Sequence, residues 1–191
     1  MEFAHKEALE FIDLTHKLQQ IRRKILVKNE HRFENDLEHQ YQLAMLAWYL
    51  INSQKLKLDT NKAIRYALIH DIVEVYAGDT FFYGKQNGKK QREQKAARLL
   101  RKNFHKFKDL HRLIKNYESQ SDKESKFVYA LDKLIPIYNI YLDKGRTWRK
   151  FRITLQMLEE KKRDKVSVSI PTKHLFEEML KDLKKNKKLF N

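Results

Sequence analysis

Residues 66–79 read YALIHDIVEVYAGD, and His70-Asp71 falls in the most apolar part of that stretch. An ionised aspartate sunk in such a segment costs several kcal/mol unless something pairs with it. Lys and Arg are absent from the stretch after Arg65, so the compensating charge comes from elsewhere, and a divalent cation is the economical source. On a helix, His70 and Glu74 are four apart and Asp71 and Glu74 three apart, so all three share a face. Two further groups of the same chemistry lie on other apolar stripes. His39 opens one with Leu43, Leu46 and Leu50, and Asp132 lies beside Val128, Leu131 and Ile135 in FVYALDKLIPIY. A single histidine on an apolar face is more often a satisfied core residue. Three segments that each place a metal-competent group on a buried stripe favour a metal centre of His39, His70, Asp71 and Asp132. Two imidazoles and two carboxylates suit one divalent ion of Mn, Co, Fe, Ni, Zn or Mg.

The elements that position these groups read as helices. Phe3, Leu9, Phe11, Ile12, Leu14, Leu18 and Ile21 give a first helix, and a charged linker is expected over 24–36. Asp36 reads as the N-cap of a helix over 37–53. Asp59-Thr60-Asn61 caps a helix over 62–76 that is apolar nearly all round, as in the middle of a bundle, and Gly78 ends it. Residues 79–88 carry Phe81, Phe82, Tyr83 and two glycines and read as a lid. Helices are expected over 89–105, 107–117, 121–141 with a kink at Pro136, 147–163 and 172–189. Residues 166–170 have a strand-like composition but are too few to form a sheet alone.

Composition agrees with an all-α helical bundle. Gly and Pro total six of 191 residues, too few for the tight turns of a sandwich, a Rossmann sheet or a P-loop. Zero cysteines exclude disulfides, iron–sulfur clusters and thiol catalysis, so a metal must be held by His, Asp or Glu. No apolar run is long enough to span a membrane, and the N-terminus lacks a signal-peptide layout, so the cytoplasm is expected. The absence of a repeat or interdomain linker makes 1–191 one domain. The net charge of +16 points to an anionic partner or to a lysine-rich solvated surface. Twenty-nine Lys against 12 Arg, scattered over the chain, favour the surface for most of them, with a few left to steer an anionic substrate.

The pattern His39…His70-Asp71…Asp132 resembles the H…HD…D signature of the HD-domain metal-dependent phosphohydrolases. ENDLEHQYQLAMLAW at 34–48 is similar to that family's E-[NS]-V-[SA]-[ED]-H segment and the helix after it. HDIVEVYAGD at 70–79 resembles the HD-x-x-E-x-x-x-G-D block of the 5′-deoxynucleotidase branch. LDKL at 131–134 resembles that branch's last-ligand motif, and KQREQKA at 90–96 the helix after its lid. The resemblance runs from about Leu18 to Tyr141, with the helices of 147–189 appended to the same domain. It implies that His39, His70, Asp71 and Asp132 hold the metal and that Glu74 orients or deprotonates the attacking water. It also implies that Asp79 contacts the sugar or the water network, that Arg22 grips the phosphate, with the adjacent Arg23 an equal candidate, and that Lys133 adds a second phosphate contact. The implied activity is removal of phosphate from a (deoxy)nucleoside 5′-monophosphate, a small-molecule nucleotide, by an enzyme that often forms homodimers. Two departures stand out. The deoxynucleotidases often place a sugar-selecting tryptophan after that arginine, whereas Arg23, Lys24 and Ile25 stand here. The lid's aromatic triplet is also unlike the family's loop and offers rings that stack on a base or pack onto the core. The rival readings are a phosphodiester or guanosine-polyphosphate hydrolase with the same ligands, and a non-catalytic, basic nucleic-acid-binding helical protein.

Overall fold

The computed structural model describes residues 5–84 and 87–190. Phe3 of the expected first helix, and the part of the expected lid at 85–86, lie outside the described residues. Helix α1 (His5–Gln20) is followed by a short antiparallel pair, β1 (Arg22–Leu26) and β2 (Phe33–Asn35), and then by α2 (Asp36–Ser53) and α3 (Thr60–Ile69). A single turn, α4 (Glu74–Ala77), leads to α5 (Lys89–Asn103), α6 (Lys108–Glu118) and the long α7 (Lys123–Leu142). A short α8 (Arg146–Lys150), then α9 (Leu155–Val166) and α10 (Ile170–Lys185), complete the order. The expected all-α bundle is therefore present, with one small hairpin added.

The hairpin occupies most of the expected linker. Its two strands would not be stable alone; the α7–α8 corner holds them. The Leu26 amide donates to the Thr147 hydroxyl at 3.0 Å, the Asn29 amide to Asp143 at 3.0 Å, and Arg146 donates to the Val27 carbonyl at 3.0 Å. That corner closes through Gly145, whose φ is +77° and where a Cβ would stand 2.0 Å from the Leu189 carbonyl oxygen.

Helix α2 starts one residue earlier than expected. Asn35, not Asp36, is the N-cap: its side chain accepts from the Glu38 amide at 3.0 Å and the Glu38 carboxylate accepts from its own amide at 2.9 Å. Asp36, released from that task, is wholly buried. Helix α3 does start at its Asp59 cap, but it stops at Ile69 instead of running to Tyr76. The physical cause lies in His70. Its Nδ1 meets the Ala67 carbonyl at 2.9 Å, the acceptor that an α-helix would give to the Asp71 amide. Tight i→i+3 bonds then carry the chain, from the Ile72 amide to Ile69 at 3.1 Å and from the Glu74 amide to Asp71 at 2.8 Å.

Helix α7 runs through Pro136, which lacks the amide that would bond the Asp132 carbonyl. The expected helix over 147–163 is two helices, α8 and α9. Residues 166–170 are not a strand. Val166 ends α9, Ile170 begins α10, and the Thr172 hydroxyl caps the corner by donating to the Val166 carbonyl at 2.8 Å. Two apolar clusters form among the described residues. The larger packs α2, α3 and α7 through Leu43, Ala47, Tyr66, Phe127, Leu131 and Leu134, with Phe176 and Leu180 of α10. The smaller joins α1, α5 and α6 through Leu14, Leu18, Ala96, Leu100, Leu110 and Ile114, and takes in Ile72 and Val73 of the turn. The 70–74 turn is thus wedged between the clusters, which fixes the side chains it carries.

Candidate metal centre

Four side chains from three elements meet at that turn. The nearest donor atoms of His39 (α2), His70 and Asp71 (the turn) and Asp132 (α7) all lie within 4.8 Å of one another. His39 Nε2 is 2.9 Å from Asp132 Oδ1, and His70 Nε2 is 2.9 Å from Asp71 Oδ2 and 3.6 Å from Asp132 Oδ1. With Nδ1 committed to the Ala67 carbonyl, the His70 ring presents Nε2 to the Asp71 and Asp132 carboxylates. His39 Nδ1, buried without a hydrogen bond, faces Glu34 at 3.6 Å. Two imidazole nitrogens converging on two buried carboxylates are the donor set of a first-row divalent ion or Mg, so the residues present fit a metal.

The electrostatics lead to the same conclusion. Burial opposes charge on His70, but Asp71 and Asp132 outweigh it and raise the imidazole to about 10. Burial lowers His39 to about 4, and the Arg23 charge adds to that. Burial disfavours the Asp71 carboxylate, yet His70 and Arg23 hold its pKa well below the usual range. The cluster thus keeps two carboxylates ionised and demands a positive partner, a role that either a proton on His70 or a cation fills.

A second trio, Asp36, Asp71 and Glu74, shares Asp71 with the first. Glu74 thus lies outside the His39–His70–Asp71–Asp132 group but joins it through Asp71, and the second trio is also a set that could hold an ion. Burial and the neighbouring Asp71 and Asp36 charges raise Glu74 to about 10, and its buried Oε2 has no hydrogen-bond partner. Burial and Asp71 raise Asp36 to about 7, and burial raises Glu34 to about 7. Arg23 ties these acids together. Its Nη1 donates to Asp71 at 2.6 Å and to Asp36 at 3.2 Å, its Nε is 3.3 Å from Glu34, and its Nη2 is 3.9 Å from Asp132.

The two neighbouring arginines face different ways. Successive residues of a strand face opposite ways; Arg22 is exposed and outside the cavity, whereas Arg23 is turned inward. The cavity, about 610 Å³, is lined by Arg23, His70, Asp71, Glu74, Asp79, Asp132 and Lys133. Lys133 donates to Asp132. Burial raises Asp79. The lid's aromatic triplet also lines this cavity, and Phe81 packs on Phe151 with ring centroids 5.0 Å apart. Sequence reasoning left Arg22 and Arg23 as equal candidates, and it missed Glu34 and Asp36 as buried acids. It also missed Lys162 of α9, which lines the same cavity. The E-N-D run before α2 carried a signal for Glu34 and Asp36; nothing in the lysine-rich sequence of α9 marked Lys162.

Comparison with known proteins agrees with this geometry. The human 5′-deoxynucleotidase HDDC2 is 30% identical over 135 residues, which cover 67% of this chain and 64% of that protein. The chain therefore spans somewhat less than two thirds of the length of that relative. A crystal structure described as a predicted metal-dependent phosphohydrolase from Magnetospirillum magnetotacticum MS-1 superposes with a TM-score of 0.82 at 27% identity, covering 95% of this chain and 93% of that one. The PH0347 protein of Pyrococcus horikoshii OT3 shares the fold, with a TM-score of 0.65 at 19% identity over 95% of this chain and 99% of its own. The family profile of the HD domain matches residues 15–173, a span that contains all four clustered His and Asp side chains, and the chain belongs to the HD-domain family.

Proposed function

We propose that the protein is a metal-dependent phosphohydrolase that releases phosphate from (deoxy)nucleoside 5′-monophosphates, with one divalent ion held by His39, His70, Asp71 and Asp132. The observation that carries this reading is the convergence of those four donors beside a cavity that His70, Asp71 and Asp132 line together with Glu74, whose buried Oε2 has no hydrogen-bond partner. The name of the human relative supports the substrate class, and that of the bacterial structure supports the reaction. When bound, the metal supplies Lewis acidity toward a phosphoryl oxygen and makes a water more acidic.

The chain's own residues do the rest. Glu74 Oε2 is the proton acceptor for the attacking water; burial and its acidic neighbours raise this carboxyl, and an ion held by His39, His70, Asp71 and Asp132 would offset that rise. Arg23 holds Asp36 and Asp71 in place and takes the phosphate-side role that Arg22 or Arg23 was expected to fill. Lys133 offers an ammonium next to the last ligand, and Asp79 a polar contact for the sugar. Phe81, Phe82 and Tyr83 cover the cavity and exclude water.

The same reading takes 1–191 as one HD domain, because Trp148, Lys162 and Lys165, beyond the span of the first resemblance, line the cavity. It places the protein in the cytoplasm with its nucleotides; no helix among the described residues is long and apolar enough to cross a membrane. It also includes a homodimer, testable by sedimentation velocity. The deciding experiment for the activity loads the protein with Mn or Co and offers a panel of 5′-monophosphates. Phosphate release is expected, and its absence with metal shown to be bound rejects the reading.

A further inference from the structure

Lys162 has no task in the chemistry above, yet it is among the most deeply placed charges of the molecule. It is 4% exposed and lines the same cavity as the metal ligands. Among the described residues no carboxylate comes within ion-pair distance of it. What it does meet is the face of Phe82, 4.0 Å from the ring centroid, and a ring face returns only a small part of the cost of dehydrating an ammonium. Its charged neighbours make the position worse. Lys165, one turn along α9, lies 5.6 Å from the same ring and is likewise without an ion-pair partner among the described residues. Lys133 of α7 also faces this cavity. Burial and the Lys133 and Arg23 charges lower Lys162 to about 7, with Asp132 opposing them.

A fold does not gain from two unpaired ammonium groups set against one aromatic ring, with the Lys133 ammonium lining the same cavity, so a ligand must supply the missing negative charge. We propose that Lys162, with Lys165 and Lys133, forms a second anion subsite in the cavity, which binds a phosphoryl group of the substrate other than the one attacked. This rests on the phosphohydrolase reading. Lys133 touches Asp132 and so belongs to the attacked phosphate as well, whereas Lys162 and Lys165 stand outside ion-pair reach of all four metal ligands. Three ammonium groups match a phosphoryl dianion better than a single carboxylate. The ligand class is therefore a nucleotide that carries, besides the 5′-phosphate that is released, a second phosphoryl group, which lies against Phe82.

The test uses the full chain loaded with Mn and two probes with uncleavable P–C bonds, methylphosphonate and methylenediphosphonate, followed by titration calorimetry. The wild type is expected to bind the diphosphonate at least about tenfold more tightly, Lys162→Met to lose about that factor of preference, and Lys162→Arg to keep most of it. The melting temperature of Lys162→Met is expected to rise, because an apolar chain of similar length replaces an unpaired buried charge. Equal weakening of both probes would assign Lys162 to the attacked phosphate and overturn the subsite. An unchanged preference, with a lower melting temperature, would reduce Lys162 to packing under Phe82 and overturn it too. A parallel assay of phosphate release separates the two readings. Release from monophosphates without a Lys162-dependent preference rejects the subsite alone. A Lys162-dependent preference without release rejects hydrolysis and leaves the subsite standing.

Discussion

Glu74 and Arg23 do different work, and substitution separates them. Glu74→Gln keeps shape and burial but removes the proton acceptor, so it is expected to bind metal normally and to lose about 10²–10⁴-fold in kcat; loss of bound metal by elemental analysis would instead make Glu74 a ligand. Arg23→Ala leaves Glu34, Asp36 and Asp71 without their shared cation and should lower kcat/KM by two orders of magnitude or more, whereas Arg22→Ala, on the exposed face of β1, should change it by less than about twofold. A comparison of the two variants under one set of assay conditions decides which arginine serves the site. The four metal-competent residues were legible because each sits on an apolar stripe where its charge is out of place. The choice between Arg22 and Arg23 was not, because it depends on strand alternation in a segment too charged to read as a strand.

At the level of elements, periodicity found the long helices and failed where a side chain or a distant element decides. The apolar pattern of α3 continues through Ile72, Val73 and Val75, so nothing in it marks the break that His70 makes by engaging the Ala67 carbonyl. The hairpin over 22–35 depends on Thr147, Asp143 and Arg146, more than a hundred residues away in sequence, which no local pattern encodes. Two substitutions test these supports. Asn35→Ala removes the capping box at the α2 end that carries Asp36 and His39, and should cost about 1 kcal/mol in denaturant unfolding, with weaker metal affinity. Gly145→Ala forces a Cβ against the Leu189 carbonyl at a positive φ and should cost more, about 2–4 kcal/mol. An equal effect of the two would mean that residues 187–189 move aside freely.

Over the whole molecule, a chain of net charge +16 folds around an acidic centre. The scarcity of Gly and Pro correctly announced the helical class, but the charge total hid this inversion, since it is set by exposed lysines. The centre governs how stability responds to pH. Glu34 and Asp36 are raised to about 7, Glu74 to about 10 and His70 to about 10. Each therefore holds a proton in the folded chain that the unfolded chain releases at lower pH, and stability that is present in acid is lost as pH rises through those values. Asp71 is lowered, so its contribution is lost only in stronger acid, outside this window. His39, lowered to about 4, and Lys162, lowered to about 7, act with the opposite sign, but they are outnumbered by the four raised groups. With chelator present, the melting temperature is thus expected to fall between pH 5.5 and pH 8. A divalent ion replaces those protons as the countercharge, so the rise in melting temperature on adding Mn should be larger at pH 8 than at pH 5.5, and metal binding in weak buffer near pH 7 should release about one proton per ion. An identical rise at both pH values, with no proton released, would mean that the ion binds somewhere other than between His39, His70, Asp71 and Asp132.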